Sequence, residues 1–439
     1  MKKTLIILLL IIAYTSSKAQ NFEQLDQFLE VLHANNKLMG SLSILKEGKS
    51  VYHKSVGYQS INSEDKTPNT TASKYRIGSV TKTFTAVMIF QLVDEGKIKL
   101  DEKLSNYFPE IPNASKITIA NLLDHSSGLF NIPRDENFNE HKPITQNEML
   151  ALIKSHAVDF QPNDKHEYSN TNFILLGYIL EKIDNTSYKN ILEKRIVSKL
   201  QLKNTYYGDV IIPKNNEALS YYYEEDTTLH EANQAHLSNP GGAGAIVSNP
   251  EDLVVFMDAL FTNKLMSKKS FQLMTTIKDE YGTGIMSAEK NGQTIFAHNG
   301  SIDSFKSMVI YIPATKTAIA FTANALDFGL MPIMFNAMAT MQGEALFIPN
   351  FNTIRLTEKE LKQYEGVYSC EGLPFNLVFK SNGEALQGAP EGRDLKTLNA
   401  TSVNAFELDL GVVLKFNLKE HTLLFNQSGE TSKKCFKKG

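Results

Sequence analysis

The chain has 439 residues, a formal charge of −3 from 45 Lys+Arg against 48 Asp+Glu, no tryptophan and two cysteines. Mild acidity argues against nucleic acid or an anionic membrane surface as a partner, and two cysteines are too few for the usual zinc cluster. The length suits two or three domains with a large core.

The first residues, MKKTLIILLLIIAYTSSKAQ, carry Lys2 and Lys3, an apolar run from Leu5 to Ala13, and then Ser17-Lys18-Ala19. Basic, apolar and small residues in that order make a secretory signal peptide, and the run is short for a bilayer span. Residues 1–19 are therefore expected to be removed, leaving a periplasmic or secreted chain that is more acidic by the loss of Lys2, Lys3 and Lys18. No cysteine follows the run to support a lipid anchor.

Residues 21–36 place Phe22, Leu25, Phe28, Leu29 and Leu32 at helical spacing, so a helix should lay one face on a sheet. SLSILKEGKSVYHKSVGYQ reads as two strands around Glu47-Gly48-Lys49. In RIGSVTKTFTAVMIFQLVDEG the pattern after Ser79 is apolar almost all round, which predicts a buried helix ending at Gly96. Residues 100–240 look mainly helical, most clearly in ITIANLLDHSSGL and NFILLGYILEKIDN. GGAGAIVSNPEDLVVFMDALFTN is a glycine turn and then a helix, with Ser248 or Asn249 as cap and Pro250 at its first position. Strand patterns follow in QTIFAHNG, SFKSMVIYIP and TAIAFTANA, then a last helix in LMPIMFNAMATMQGEAL. After about residue 350 short strands alternate with Asn, Gly and Ser, which predicts a small all-β barrel. The expected division is a main domain over 20–345, a linker over 346–356 and a β domain over 357–439.

S-x-x-K occurs at Ser43/Lys46, Ser63/Lys66, Ser79/Lys82 and Ser287/Lys290, so the motif alone is weak. Only Ser79/Lys82 opens a buried helix. Residues at i and i+3 share a helix face, and a helix N-terminus supplies free N–H groups. A desolvated lysine there can act as base toward the serine; equally, Ser79 could cap the helix while Lys82 reaches solvent. Y-x-N occurs at Tyr168/Asn170, before a buried helix, and at Tyr188/Asn190, read as a surface helix end. Tyrosine can relay a proton and asparagine can hold a substrate amide; Asn170 or Ser169 could instead be a helix cap. H-x-G occurs at His298/Gly300 between strand patterns, where glycine permits close backbone approach; a lone histidine can also be a scaffold group. No G-x-S-x-G elbow, phosphate-binding G-x-x-x-x-G-K-[ST] or H-E-x-x-H is present, and Gly241-Gly242-Ala243-Gly244 lacks dinucleotide spacing. No metal, nucleotide or other cofactor is expected.

Ser79-x-x-Lys82, Tyr168-x-Asn170 and His298-x-Gly300 appear in one order. Together with RIGSVTKTFTA, LLDHSSGL, EYSNTNFILLGYILE, GGAGAIVSNPEDL and FAHNGSIDSFKS, they make residues 22–345 resemble the serine β-lactamase and penicillin-binding family. The resemblance lies on the side of class C β-lactamases, D-Ala-D-Ala carboxypeptidases and related esterases. It implies an α+β fold: an antiparallel sheet flanked by helices, with a helical subdomain beside it. It implies acyl transfer through Ser79, with Lys82 assisting deprotonation and Tyr168 shuttling the proton. Asn170 would hold the substrate amide, and His298 would face a substrate carboxylate or aid the tyrosine. The N–H groups of Ser79 and Ser301 would form the oxyanion hole.

The expected substrate is a D-amino-acid peptide, amide or ester, with the carboxypeptidase reading first. β-Lactamase and carboxylesterase readings stand behind it, as does a penicillin-type sensor that is acylated without turnover. There are departures from the family pattern. His298 stands where typical β-lactamases have lysine, Pro162-Asn163 replaces the usual Pro-Gly, and Asp303 lies in a segment with more glycine elsewhere. The C-terminal segment resembles the lipocalin-like barrel appended to many secreted family members, opening at YEGVYS. First and last strands are neighbours in a closed barrel, so that likeness implies a Cys370–Cys435 disulfide, with two buried thiols as the alternative.

Overall fold

Asn21 accepts a hydrogen bond from the Gln24 N–H (3.1 Å) and so caps helix α1, Phe22–Ala34. The computed structural model describes residues 21–438 apart from 63–64, 225–227, 278–280, 291, 409–410 and 428–431; the expected signal peptide and Ser63 lie outside the described residues. Leu25, Phe28, Leu29 and Leu32 are buried, as their spacing requires. They face β1 (Leu38–Lys46) and β2 (Lys49–Val56). Glu47 (φ 51°) and Gly48 (φ 76°) join these two strands in a tight left-handed turn, the geometry a two-residue hairpin demands.

The sheet is completed by β3 (Met286–Lys290), β4 (Gln293–Ile302), β5 (Phe305–Ile312) and β6 (Thr317–Leu326). Among the described residues its order is β3-β4-β5-β6-β1-β2, antiparallel throughout. The early hairpin and the late strands are zipped by the β1–β6 pairing, with Ser41 opposite Thr322. Both central strands are buried almost end to end because helices cover both faces. One face packs on α1 and on the late helix Leu330–Gln342. The other packs on a helical layer built from α2 (Thr81–Asp94), α3 (Asn170–Asp184) and α4 (Pro250–Phe261), followed in chain order by α5, that late helix.

Helix α2 is buried from Thr81 to Leu92 and has no polar face, which matches its apolar sequence. Phe84 stacks on Phe256 of α4. Gly96, at φ 71°, closes α2: Gly96 N–H donates to Val93 O and Lys97 N–H to Leu92 O. Asn249 rather than Ser248 caps α4, accepting from the Asp252 N–H (3.0 Å). One expectation is corrected. Tyr188 is not at the surface but buried, its hydroxyl 2.6 Å from Thr85 Oγ1. A pattern with polar neighbours on one side still turned its aromatic face inward.

The C-terminal segment forms a nine-stranded antiparallel sheet among the described residues. Its strands are β7 (Gly366–Cys370), β8 (Asn376–Ser381), β9 (Leu386–Pro390), β10 (Lys396–Thr397), β11 (Asn399–Ser402), β12 (Ala405–Leu408), β13 (Val412–Asn417), β14 (Thr422–Gln427) and β15 (Lys433–Lys437). The two edge strands of the order, β10 and β11, are consecutive in the chain, so the sheet curls into a nearly closed barrel. Tyr364, Tyr368, Phe379, Phe406 and Phe416 fill it edge to face. First and last strands pair with Cys370 opposite Cys435, and the two are joined as a disulfide. Residues 346–356 are tied at both ends. Asn336 Nδ2 donates to Phe347 O, and Ile354 N–H donates to Ala400 O.

Candidate active site

Ser79 lies in a 3-10 turn, Gly78–Val80, that leads directly into α2. One turn on, Lys82 is fully buried. Its Nζ stands 2.9 Å from Ser79 Oγ, 2.8 Å from Asn170 Oδ1 and 2.9 Å from the Ala243 carbonyl oxygen. Among the described residues no carboxylate pairs with Lys82, and burial holds its pKa well below the ordinary lysine value. An uncharged amine has two N–H bonds and one lone pair. In that form the two carbonyl oxygens can take both N–H bonds, and the lone pair is left for Ser79 Oγ.

The glycine-rich segment delivers that second carbonyl. Residues Gly241–Ala243 form a 3-10 turn against α3, where a Cβ on Gly242 would stand 2.6 Å from Phe173 O. The same turn takes a hydrogen bond from Thr85 Oγ1 to Gly242 O (2.6 Å), which seats it on α2.

Tyr168 lies over the amine, with Lys82 Nζ 4.8 Å from its ring centroid. The residue is 36% exposed; burial of its hydroxyl pushes its pKa up, while a hydrogen bond with Ser79 pulls it down. Burial thus favours the protonated tyrosine and the uncharged form of the lysine. Ser169 holds the N-cap position of α3 but makes no capping bond. Instead the Asn170 N–H donates to Asn131 Oδ1 (2.9 Å), and Asn170 Nδ2 reaches the same oxygen (3.2 Å). Asn163 takes φ 70°, the left-handed region that asparagine tolerates, and so fills the place of the usual glycine.

Strand β3 pairs with residues 293–297 of β4, and residues 298–302 beyond that ladder approach the turn before α2. Gly300 packs there: a Cβ would stand 2.1 Å from Ile77 O and 2.9 Å from Ser79 N. Gly78, at φ 48°, packs reciprocally, its would-be Cβ 2.8 Å from Ser301 N. Ser79 and Ser301 border one cleft of about 180 Å³, lined also by Asn170, Phe138, Glu140 and Ile302.

Of the two roles expected of His298, facing a substrate carboxylate does not fit its position. It is 1% exposed and is not among the residues lining the cleft. Burial, then the nearby Lys82, lowers its pKa to about 3, so it offers no charge to a substrate carboxylate. Two further buried residues escaped the motif search: His125, in LLDHSSGL, and Tyr281, which bridges His125 to His298. Asp303, at φ 56° in the β4–β5 turn, pairs with Arg76 Nη1 (2.9 Å) and accepts from the Ala235 N–H (2.8 Å).

The Beta-lactamase family model matches residues 25–334, from α1 into α5. The chain belongs to the β-lactamase family. Protein flp of Staphylococcus aureus (strain MW2) is 26% identical over 317 residues, covering 69% of this chain and 63% of flp, so the chain spans less than two thirds of that relative. A D-amino acid amidase from Ochrobactrum anthropi SV3 is 26% identical with a TM-score of 0.62, covering 69% of this chain and 91% of that one. The octameric penicillin-binding protein homologue from Pyrococcus abyssi is 25% identical with a TM-score of 0.68, covering 94% and 100%. Among the described residues no helix is long and apolar enough to cross a membrane, and no group of three His, Cys, Asp or Glu could hold a metal.

Proposed function

We propose that this β-lactamase-family protein hydrolyses amides or peptides of D-amino acids through an acyl-enzyme on Ser79. The observation that carries the reading is the Lys82 amine: buried, without a carboxylate, and 2.9 Å from Ser79 Oγ. Ser79 Oγ attacks the substrate carbonyl as its proton passes to Lys82 Nζ. The oxyanion meets the N–H groups of Ser79 and Ser301. Tyr168, protonated at neutral pH, gives its proton to the leaving nitrogen and regains one from Lys82. Water then cleaves the ester by the reverse transfers, and no cofactor enters.

Amides and aminopeptides are favoured over carboxypeptidase substrates and β-lactams. Both of the latter present a carboxylate, whereas Glu140 is the ionisable residue among those lining the cleft and His298 is uncharged. The amidase relative supports this choice. Export is part of the proposal, supported by residues 1–19 and by a disulfide that oxidising compartments favour.

The test is hydrolysis of D-phenylalanine amide, L-phenylalanine amide and D-Ala-D-Ala by wild type and by Ser79→Ala. Turnover of the D-amide by wild type alone is expected. Turnover of D-Ala-D-Ala in preference returns the carboxypeptidase reading. An adduct with penicillin that never clears, seen by intact mass, points to a sensor.

A further inference from the structure

His125 is bonded to both amides that flank Tyr168. Its carbonyl accepts from the Glu167 N–H (3.1 Å), and its Nδ1 accepts from the Ser169 N–H (3.2 Å) and from Asn172 Nδ2 (3.1 Å). Its ring centroid lies 4.5 Å from that of Tyr168. With two donors at Nδ1, the imidazole proton is assigned to Nε2, which lies 3.2 Å from the Tyr281 hydroxyl. The hydroxyl proton is then free for His298 Nε2, 3.4 Å away. His298 Nδ1 lies 2.7 Å from the Asn299 carbonyl oxygen and so carries that ring's proton. Every donor meets an acceptor, in one direction, when both imidazoles are uncharged.

We propose that His125 and Tyr281 are positioning residues of the acyl-transfer site. His125 clamps Tyr168 beside Ser79, and the Tyr281 hydroxyl holds His298 uncharged with Nε2 as acceptor. The proposal deepens the acyl-enzyme reading and rests on it. The other titratable groups facing the chain are Lys82, Tyr168, His166 and Asp124. A proton on either imidazole would place a charge beside the Lys82 amine and weaken its hold on the Ser79 proton. The buried setting supports the neutral forms: burial is the largest cause lowering the pKa of both histidines.

Two measurements test this. Histidine nitrogen NMR on the wild-type protein should show His298 protonated on Nδ1 and His125 on Nε2 at neutral pH, and this needs no substrate. Tyr281→Phe removes one hydroxyl and keeps the ring. Its kcat on D-phenylalanine amide should fall about 10-fold or more with KM little changed. The acid limb of kcat/KM should move to higher pH, because His298 loses a donor that favours its neutral form. A residue that only fills space would leave the pH profile in place. A charged imidazole at neutral pH, the opposite tautomers, or a Tyr281→Phe enzyme with wild-type kcat and pH profile would overturn the proposal. Were Ser79→Ala to keep full turnover, the nucleophile assignment would fail by itself, and the NMR result would still decide the tautomers.

Discussion

Gly300 and Ser79 pack backbone to backbone. A Cβ on Gly300 would lie 2.9 Å from the Ser79 nitrogen and 2.1 Å from the Ile77 carbonyl oxygen. No side chain fits without moving β4 away from the turn that carries Ser79. Gly300→Ala should therefore part the two N–H groups proposed for the oxyanion hole and lower kcat about 100-fold or more, the usual cost of one lost donor. Steady-state kinetics on folded variant, checked by circular dichroism, reads this. Unchanged kcat would place the oxyanion site elsewhere.

Lys82 makes a prediction about stability as well as rate. Burial depresses its folded pKa well below 10.5. Over the window between the folded and unfolded values, the unfolded chain binds a proton that the folded one does not. This residue's contribution to stability therefore rises with pH up to the unfolded value. In denaturant melts at pH values about one to three units below lysine's ordinary pKa, wild type should gain on Lys82→Met by up to about 1.4 kcal/mol per pH unit. A difference that stays flat with pH would mean a charged lysine in the fold and would undo its role as base. Lys82→Met should also lose about 1000-fold or more in kcat.

The Arg76–Asp303 pair ties the strand before Ser79 to the β4–β5 turn, with side chains 2% and 0% exposed. Burial pushes Arg76 down and Asp303 up, and each partner opposes that push on the other. Asp303→Asn keeps the left-handed turn but leaves a buried guanidinium without its counter-charge. It should cost about 3 kcal/mol in a chemical melt. The double variant Arg76→Met, Asp303→Asn should recover part of the loss. If it is no better than the single variant, the pair is not what the turn depends on.

Cys370 and Cys435 close a loop of sequence separation 65. The unfolded, unreduced protein should show no free thiol. Reduction should then destabilise the barrel by about 2–4 kcal/mol. Two titratable thiols would remove the disulfide.

The Ser79/Lys82 and Tyr168/Asn170 pairs were legible because each is a spacing within one helix start, where backbone geometry alone brings the residues together. The buried α2 was legible for a similar reason: a helix with no polar face has no side to offer water. His298 was found, but an H-x-G strand pattern does not say which way the ring is turned. His125 and Tyr281 were not singled out, because they lie 156 residues apart and neither forms a local pattern with the other. The Ala243 carbonyl was equally hidden. The glycines around it looked like a failed nucleotide loop, and they serve to let the turn close on α3.

Residue order by itself determined the helix starts, the glycine turns, the antiparallel strand patterns and which serine and lysine are the candidate nucleophile and base. Each rests on forces acting between near neighbours along the chain. Only the tertiary structure decided the charge states. Whether Lys82 is an amine or an ammonium, and whether His298 meets a substrate or a tyrosine, depends on how much water the packed helices and sheet exclude. That exclusion is made by residues far apart in the chain, and no local spacing encodes it.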